Sequence, residues 1–188
     1  MLIEGLVLVC GGSRSGKSRW AEHLAASSGR SVLYLATAGR RPDDPSWCER
    51  LERHRQRRPA GWGCLEVEGQ LSGALRTLQQ PGHPQRDHLL LIDALGTWLA
   101  HHLDADTAQW LQLQQELLAA LAAHRAPVVL VCEEVGLGVV PPTAIGCRFR
   151  DRLGELSQRL MAQSQGSWLV LAGRALNLHE LAVAVPEA

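Results

Sequence analysis

The stretch VLVCGGSRSGKSRW, residues 7–20, decides the fold. An apolar run leads into a loop rich in glycine and serine, and the spacing Gly11-x4-Gly16-Lys17-Ser18 fits the phosphate-binding pattern G-x-x-x-x-G-K-[ST]. Glycines let backbone N–H groups approach phosphate oxygens, Lys17 can reach the β- and γ-phosphates, and the Ser18 hydroxyl can bind Mg²⁺. A Gly/Ser loop can match by chance, but the strand-like run before it and the helix-like run after it favour nucleoside triphosphate binding.

The composition fits a single domain, which we place over residues 1–188. Lys+Arg and Asp+Glu number 19 each, so no overall field favours nucleic acid or a membrane surface. The five cysteines form no C-x-x-C pair, and we expect a reducing, cytoplasmic location without a disulfide scaffold or zinc site. We also expect no membrane span and no signal peptide.

Short apolar runs alternate with helical stretches along the rest of the chain. The predicted strands are 2–10, 31–37, 65–68, 88–93, 127–134 and 167–173. The predicted helices are 17–27, 46–57, 69–79, 95–103, 106–124 and 147–165. This alternation predicts an α/β fold with a doubly wound, mostly parallel sheet that binds ligands at the carboxyl ends of its strands.

Asp93 ends the apolar run HLLLID, residues 88–93. A carboxylate at the end of a strand beside a phosphate loop has the usual Walker B position, where it holds Mg²⁺ directly or through water. The alternative is an aspartate that begins a turn or caps the next helix. We favour the Mg²⁺ role because the phosphate loop is present.

The segment RLERHRQRRPAGW, residues 50–62, places five arginines within nine residues around His54. A solvated basic helix face is one interpretation. Phosphate recognition is the other, because arginine suits bidentate binding of phosphate. Positive charge around an imidazole also favours its neutral, nucleophilic form, so His54 is a candidate nucleophile. The pair His101 and His102 lacks such surroundings, and we expect surface or satisfied structural residues there.

Two later segments remain open between structure and function. EEVGLGVVPPT, residues 133–143, follows a predicted strand and is expected to bring Glu133 and Glu134 near the phosphates. The arginines of RFRDRLGELSQRL, residues 148–160, suit either a capped, salt-bridged helix start or a contact with substrate or a neighbouring subunit.

Taken in order, GGSRSGKSRWAE, YLATA, RLERHRQRRPAGW, LIDALGTWL and EEVGLGVVPPTAIGCRFRDRLGELSQRL resemble the bifunctional adenosylcobinamide kinase / adenosylcobinamide-phosphate guanylyltransferase family. The elements H-R-x-x-R-P-x-x-W and E-V-G-x-G-x-V-P are specific, since ordinary phosphate-loop kinases lack them. The resemblance covers nearly the whole chain. It implies a P-loop NTPase (RecA-like) fold, assembled as a homotrimer.

The resemblance implies two reactions of cobalamin biosynthesis. ATP or GTP phosphorylates the aminopropanol hydroxyl of adenosylcobinamide. GTP then loses pyrophosphate and leaves GMP on a histidine, from which adenosylcobinamide phosphate collects it as adenosyl-GDP-cobinamide. The family's nucleophile falls on His54, beside Lys17 as the second catalytic residue, and Mg²⁺ falls on Ser18 and Asp93. The family's nucleotide contacts fall on Gly11, Gly12, Ser13, Arg14, Ser15, Gly16, Lys17 and Ser18, on Thr37, Ala38 and Gly39, on Arg55, Gln56, Arg57 and Arg58, and on Glu66 and Asp93.

The chain departs from the family pattern at three places. The family usually has Asn at the position of Glu133, Asn-Gln at Ser157-Gln158, and Asp-Cys-Leu at residues 93–95. An added carboxylate at 133 is expected to weaken binding of an anionic substrate or to alter Mg²⁺ binding, which concerns the kinase reaction more than the guanylyl reaction.

Two other functions remain open from sequence. One is a different phosphate-loop kinase in which His54 only contacts substrate. The other is a regulatory nucleotide-binding module that uses the arginine segment to hold RNA or a protein. The neutral net charge and the lack of aromatics interleaved with the basic run argue against nucleic acid.

Overall fold

A seven-stranded sheet organises the computed structural model, which describes residues 3–39 and 43–186 except for the side chain of Arg50. The strand order is β3-β2-β4-β5-β1-β6-β7, and neighbours are parallel except β6 and β7. The predicted doubly wound, mostly parallel sheet is therefore confirmed, with all six predicted strands. The strands are β1 (Leu6–Gly11), β2 (Val32–Ala36), β3 (Gly63–Glu66), β4 (Leu89–Asp93), β5 (Val128–Glu133), β6 (Gly166–Leu171) and β7 (Arg174–Asn177).

The six predicted helices are also present. The longest of them begins at residue 144 rather than 147, because the Thr143 side chain accepts a hydrogen bond from the Gly146 N–H and caps it. No helix among the described residues has the length and apolar character needed to cross a membrane. The helices are α1 (Lys17–Ser27), α2 (Pro45–Arg57), α3 (Leu71–Leu78), α4 (Leu95–Ala100), α5 (Thr107–Ala122), α6 (Ala144–Gln163) and α7 (Leu178–Leu181).

The elements β7 and α7 were not predicted. Ala172 and Gly173 adopt positive φ angles of 50° and 77° and turn the chain back into an antiparallel hairpin. Because β7 lies at the edge of the sheet, its residues are only half-buried or exposed, and it lacks the continuous apolar run of the inner strands.

The core lies on both faces of the sheet. Alternate residues of the inner strands point to opposite sides, so Leu8 and Leu130 join one buried cluster while Val9 and Val129 join another. Burial on both faces explains why these strands read as unbroken apolar runs.

The parallel strands bring their carboxyl ends to one edge. Gly11, at the end of β1, pairs with Glu133 at the end of β5. Asp93, at the end of β4, pairs with Ala36 at the end of β2. The phosphate-loop motif and two carboxylates therefore meet at the edge where ligands bind in such folds.

Candidate functional site

Two glycines of the loop between β1 and α1 occupy positions where a side chain is unfavourable. A Cβ on Gly11 would lie 2.5 Å from the Val170 carbonyl oxygen and 2.6 Å from Ser15 Oγ. Gly16 has a φ of 103°, a left-handed conformation that glycine adopts readily, and it caps α1. The Lys17 N–H, the first of α1, donates to Ser15 Oγ within the loop at 3.3 Å. The N-terminal N–H groups of a helix favour phosphate binding, because they have no carbonyl partner within the helix.

Lys17 lies inside this loop rather than in solvent. Its side chain is buried, with a residue exposure of 5%, and Nζ donates to the Gly12 carbonyl oxygen at 3.3 Å. The loop is held from outside by the Gly173 N–H, which donates to the Ser15 carbonyl oxygen at 3.0 Å. The ammonium group is therefore positioned before any nucleotide arrives, at the place that the motif predicts.

Helix α2 forms the opposite wall of a pocket of about 680 Å³ over the loop. The loop and the start of α1 supply residues 14–19 to its lining. Asp44 caps α2 by accepting from the Trp47 N–H at 3.0 Å, and Pro45 occupies the first turn. The lining residues from α2 are Ser46, Trp47, Glu49, Arg53, His54 and Arg57.

His54 meets Asp93 at this pocket. The distance from His54 Nδ1 to Asp93 Oδ2 is 3.5 Å, and the Tyr34 hydroxyl donates to the same oxygen at 2.9 Å. Because Nδ1 faces the carboxylate, Nε2 is the ring nitrogen turned away from it. An imidazole held in this way presents one nitrogen for chemistry while a carboxylate orients the other.

Asp93 is ionised at neutral pH. Burial raises the pKa of its carboxyl, but hydrogen bonding and charge interaction with His54, together with hydrogen bonds from Tyr34 and Ser18, outweigh burial and hold the pKa below its usual value. The Ser18 hydroxyl thus lies beside the Asp93 carboxylate, as the Mg²⁺ prediction requires.

This donor set fits Mg²⁺. One hydroxyl and one carboxylate suffice, because Mg²⁺ keeps several waters and takes its other ligands from substrate phosphates. The residues that the structure describes contain no group of three or more His, Cys, Asp or Glu arranged to hold a metal ion.

The arginines at the end of α2, and Arg58 just after it, contact different parts of the protein. Arg57 lines the pocket, and its Nη2 donates to Glu22 Oε1 on α1 at 3.0 Å. The Arg58 guanidinium carbon lies 3.6 Å from the centre of the Tyr34 ring. Arg55 and Gln56 are exposed and do not line the pocket, since they lie on another side of the helix than His54. The predicted contact segment is therefore only partly brought to the site.

The predicted contacts after β2 and β3 have structural partners here. The Thr37 hydroxyl donates to the Ala94 carbonyl oxygen at 2.6 Å and accepts from the Ala94 N–H at 2.7 Å. The Gly39 carbonyl oxygen accepts from Trp47 Nε1 at 2.9 Å. Thr37 and Gly39 thus link β2 to the residue after Asp93 and to α2, with Ala38 between them. Glu66 ends β3 and is exposed, outside the lining of the pocket.

The two glutamates after β5 differ. Glu133 is mostly buried at the strand end, and its Oε2 accepts from the Gly96 N–H at 2.7 Å. Glu134 instead accepts from the backbone N–H groups of Gly136 and Leu137 in its own loop. Both residues therefore lie next to Gly11 at the end of β1, since Glu133 pairs with it and the Glu134 N–H donates to its carbonyl oxygen at 2.9 Å. Their carboxylates differ in their partners, and neither residue is in the lining of the pocket.

The arginines of α6 fasten it to neighbouring loops. Arg148 donates to the Leu103 carbonyl oxygen, Arg152 to that of Ala105, and Arg150 to that of Gly136. The helix start is capped by Thr143, as one of our two interpretations has it, while these guanidinium groups donate to backbone carbonyls. His101 and His102 are structural as predicted, with Nε2 atoms 3.3 and 3.0 Å from the carbonyl oxygens of Thr37 and Gly69.

Sequence reasoning missed several residues of the site. Trp47, Glu49 and Arg53 line the pocket with His54 and were not singled out. Trp47 lies seven residues, two helical turns, before His54 and shares its side of α2, which gives a signal for it. Glu49 and Arg53, five residues and one residue before His54, are not at helical spacing from it and carry no such signal. Tyr34 carried no such signal, since its contact with Asp93 depends on the pairing of β2 with β4.

Among solved structures, the chain is similar to an ATPase from the type III secretion system of pathogenic bacteria. The TM-score is 0.56 at 11% sequence identity, over 97% of this chain and 59% of that one. At such low identity the likeness concerns the fold alone. Together with the strand order, it confirms the predicted P-loop NTPase (RecA-like) fold.

Two curated relatives are similar in sequence over most of their length. The bifunctional adenosylcobalamin biosynthesis protein CobP of Pseudomonas aeruginosa is 39% identical over 91% of this chain and 95% of its own. The bifunctional adenosylcobalamin biosynthesis protein CobU of Escherichia coli is 35% identical over 89% of this chain and 96% of its own. Residues 7–178 also match the family described as cobinamide kinase / cobinamide phosphate guanyltransferase. The resemblance noted from the motifs is confirmed, and the chain belongs to the cobinamide kinase / cobinamide phosphate guanyltransferase family.

Proposed function

We propose that this enzyme phosphorylates adenosylcobinamide with ATP or GTP and then transfers GMP from GTP, through His54, to the phosphorylated product. The observation that carries the proposal is the position of His54. It faces the pocket of a phosphate loop, with Asp93 behind its Nδ1 at 3.5 Å. A kinase that used His54 only to contact substrate has no need of a carboxylate that orients the ring.

In the kinase reaction, the acceptor hydroxyl oxygen forms a bond to the γ-phosphorus. The bond from that phosphorus to the β–γ bridging oxygen breaks, and the nucleoside diphosphate leaves. Lys17 and the first N–H groups of α1 neutralise the charge on the transferred group. The preorganised Lys17 ammonium supplies this stabilisation without rearrangement of the loop.

Mg²⁺, held by Ser18 and Asp93 with nucleotide phosphates, supplies charge neutralisation to the phosphates when it is bound. Asp93 also accepts hydrogen bonds from Tyr34 and Ser18, which keep its carboxylate fixed. One carboxylate thus serves the phosphates and the nucleophile together.

In the guanylyl reaction, His54 Nε2 attacks the α-phosphorus of GTP. A P–N bond forms, the α–β anhydride bond breaks, and pyrophosphate leaves. A phosphate oxygen of the cobinamide phosphate then attacks the same phosphorus, the P–N bond breaks, and His54 is released. Asp93 stabilises the imidazole while it carries the GMP, and Arg57 on the pocket wall offsets the charge of the departing pyrophosphate.

The test follows two labels into the corrinoid. Wild-type protein is incubated with adenosylcobinamide and GTP that carries radiolabel in either the γ- or the α-phosphate. We expect the γ-label to appear in cobinamide phosphate and the α-label to appear in a GDP-cobinamide. Incorporation of γ-label alone would leave a phosphate-loop kinase without the guanylyl step, and incorporation of neither would favour the regulatory nucleotide-binding module.

We further propose that the chain assembles as a homotrimer, as its family resemblance implies. The loop after β5 and the start of α6 expose large apolar side chains to solvent, which favours an interface there. Sedimentation equilibrium should give three times the chain mass of 20.5 kDa. A mass of one chain at micromolar concentration would contradict the proposal. The exposed side chains are Leu137, Val139, Val140 and Ile145.

A further inference from the structure

The kinase reaction must also dispose of the proton on the acceptor hydroxyl. Glu133 is the carboxylate that the structure places beside the phosphate loop on the side of β5. Its strand pairs in register with β1, so that Glu133 lies opposite Gly11, the first residue of the motif. The next residue is fastened to the same glycine, since the Glu134 N–H donates to the Gly11 carbonyl oxygen at 2.9 Å.

One oxygen of this carboxylate is fixed by the backbone. Glu133 Oε2 accepts from the Gly96 N–H, in the first turn of α4, at 2.7 Å. This hydrogen bond fixes the orientation of the Glu133 carboxylate at the end of β5, close to the residues that follow Asp93. Capping of α4 is a sufficient structural reason for an acceptor at this position, so the two roles must be separated by experiment.

The charges that face Glu133 are those of the phosphate site. Lys17 of α1 attracts the carboxylate and Asp93 of β4 repels it. Burial raises the pKa of the Glu133 carboxyl, opposed by the Gly96 hydrogen bond and by Lys17. A carboxylate in such surroundings is a stronger base than one in water, and proton transfer benefits when the base is matched to its task.

We propose that Glu133 is the general base of the kinase reaction and accepts the proton of the acceptor hydroxyl through Oε1, the carboxyl oxygen that does not bind Gly96. As the hydroxyl oxygen bonds to the γ-phosphorus, its proton passes to Glu133. The nucleoside diphosphate departs with the electron pair of the broken β–γ bond, and Glu133 returns the proton to solvent after product release. The inference rests on the kinase half of the proposed function and adds a residue to it.

This role changes the expectation for the carboxylate at 133. The sequence suggested that it repels the anionic substrate. In the structure, one oxygen is already bound and Lys17 offsets the charge. Glu134 offers a matched comparison, because it is the next carboxylate along the chain but is tied to Gly136 and Leu137.

The experiment compares Glu133→Gln with Glu133→Asp. Glutamine keeps an oxygen within hydrogen-bond distance of the Gly96 N–H but cannot act as a base. Aspartate keeps the carboxylate, but its shorter side chain withdraws that group from the Gly96 N–H. If Glu133 is the base, Glu133→Gln should lower kinase kcat by about 10²-fold with little change in the KM for adenosylcobinamide, and Glu133→Asp should retain more activity. If Glu133 only caps α4, Glu133→Gln should turn over like wild type and Glu133→Asp should be the weaker variant.

Two controls make the result decisive. Glu134→Gln should keep wild-type kinase kcat. Uptake of α-label from GTP by each variant, in the absence of corrinoid, reports that the fold and the phosphate loop are intact. The ratio of kinase kcat to labelling rate should fall by about 10²-fold in Glu133→Gln and stay at the wild-type value in Glu134→Gln. Wild-type kcat in Glu133→Gln, or the reversed order of the two variants, would overturn the inference. A wild-type protein without kinase activity would instead overturn the proposed function.

Discussion

The phosphate loop and helix α2 form opposite walls of one pocket, yet they are made in different ways. The loop, residues 11–18, is held by the core: Gly11 and Lys17 are buried, and Gly173 fastens it from the neighbouring turn. Helix α2 is mostly exposed and charged, and it is attached by side chains at its pocket face. From this difference we expect phosphate binding to depend on the loop alone, and the chemistry of α2 to depend on the residues that it faces.

The loop should therefore show the largest effect when it is changed. Lys17→Ala should lower both the kinase and the guanylyl reaction by about 10³-fold, since one preorganised donor serves the same triphosphate in each. Steady-state rates with γ- and α-labelled GTP measure the two losses. Near wild-type rates in both assays would mean that the loop does not bind the triphosphate, and loss of only one would mean that the reactions use separate sites.

Asp93, at the end of β4, contacts both Ser18 of the loop and His54 of α2, and its replacement should have the next largest effect. Asp93→Asn is nearly isosteric, so the fold should persist, but the variant loses the charge that serves both His54 and Mg²⁺. We expect it to need more Mg²⁺ for the kinase reaction and to label His54 about tenfold to 10²-fold more slowly, as with other residues that orient a reactive group. Mg²⁺ titration and single-turnover labelling measure these changes. An unchanged Mg²⁺ titration would reduce Asp93 to a residue that only positions His54.

We expect the smallest effects from replacing single arginines on the two sides of α2. Arg57→Ala should slow labelling by roughly tenfold, because it removes a guanidinium group from the pocket wall and a contact with Glu22. Arg55→Ala is the matched control, since Arg55 is exposed and does not line the pocket. Labelling of that variant should stay within twofold of wild type. Equal losses in both variants would indicate that residues 50–62 act as a general basic surface, in which neither side of α2 is specific to the pocket.

The sequence predicted those parts of the site that are determined by residues close together in the chain. The spacing of Gly16, Lys17 and Ser18 determines a phosphate loop within eight residues, and unbroken apolar runs predict buried parallel strands. It also identified Asp93, because a carboxylate at the end of an apolar strand has a predictable position.

The remaining parts depend on which elements meet in space. The contact of His54 with Asp93 requires α2 to bring His54 to the end of β4, and the Tyr34 hydrogen bond to Asp93 requires β2 to pair with β4. No local pattern encodes either arrangement. The different directions of Arg55 and Arg57 follow from helical geometry once the side of α2 that faces the loop is known. The edge strand β7 was missed because its exposed residues lack the apolar run of the inner strands.

The central claim is that His54 carries GMP. The most direct measurement is the uptake of α-label from GTP by pure protein without corrinoid, followed by denaturation and mapping of the labelled peptide. Wild-type protein should hold label that survives base, is released by mild acid as a P–N bond requires, and maps to His54. His54→Ala should take up none while it still transfers the γ-phosphate, because that transfer rests on Lys17. Acid-labile label that persists in His54→Ala would contradict the account and place the nucleophile elsewhere.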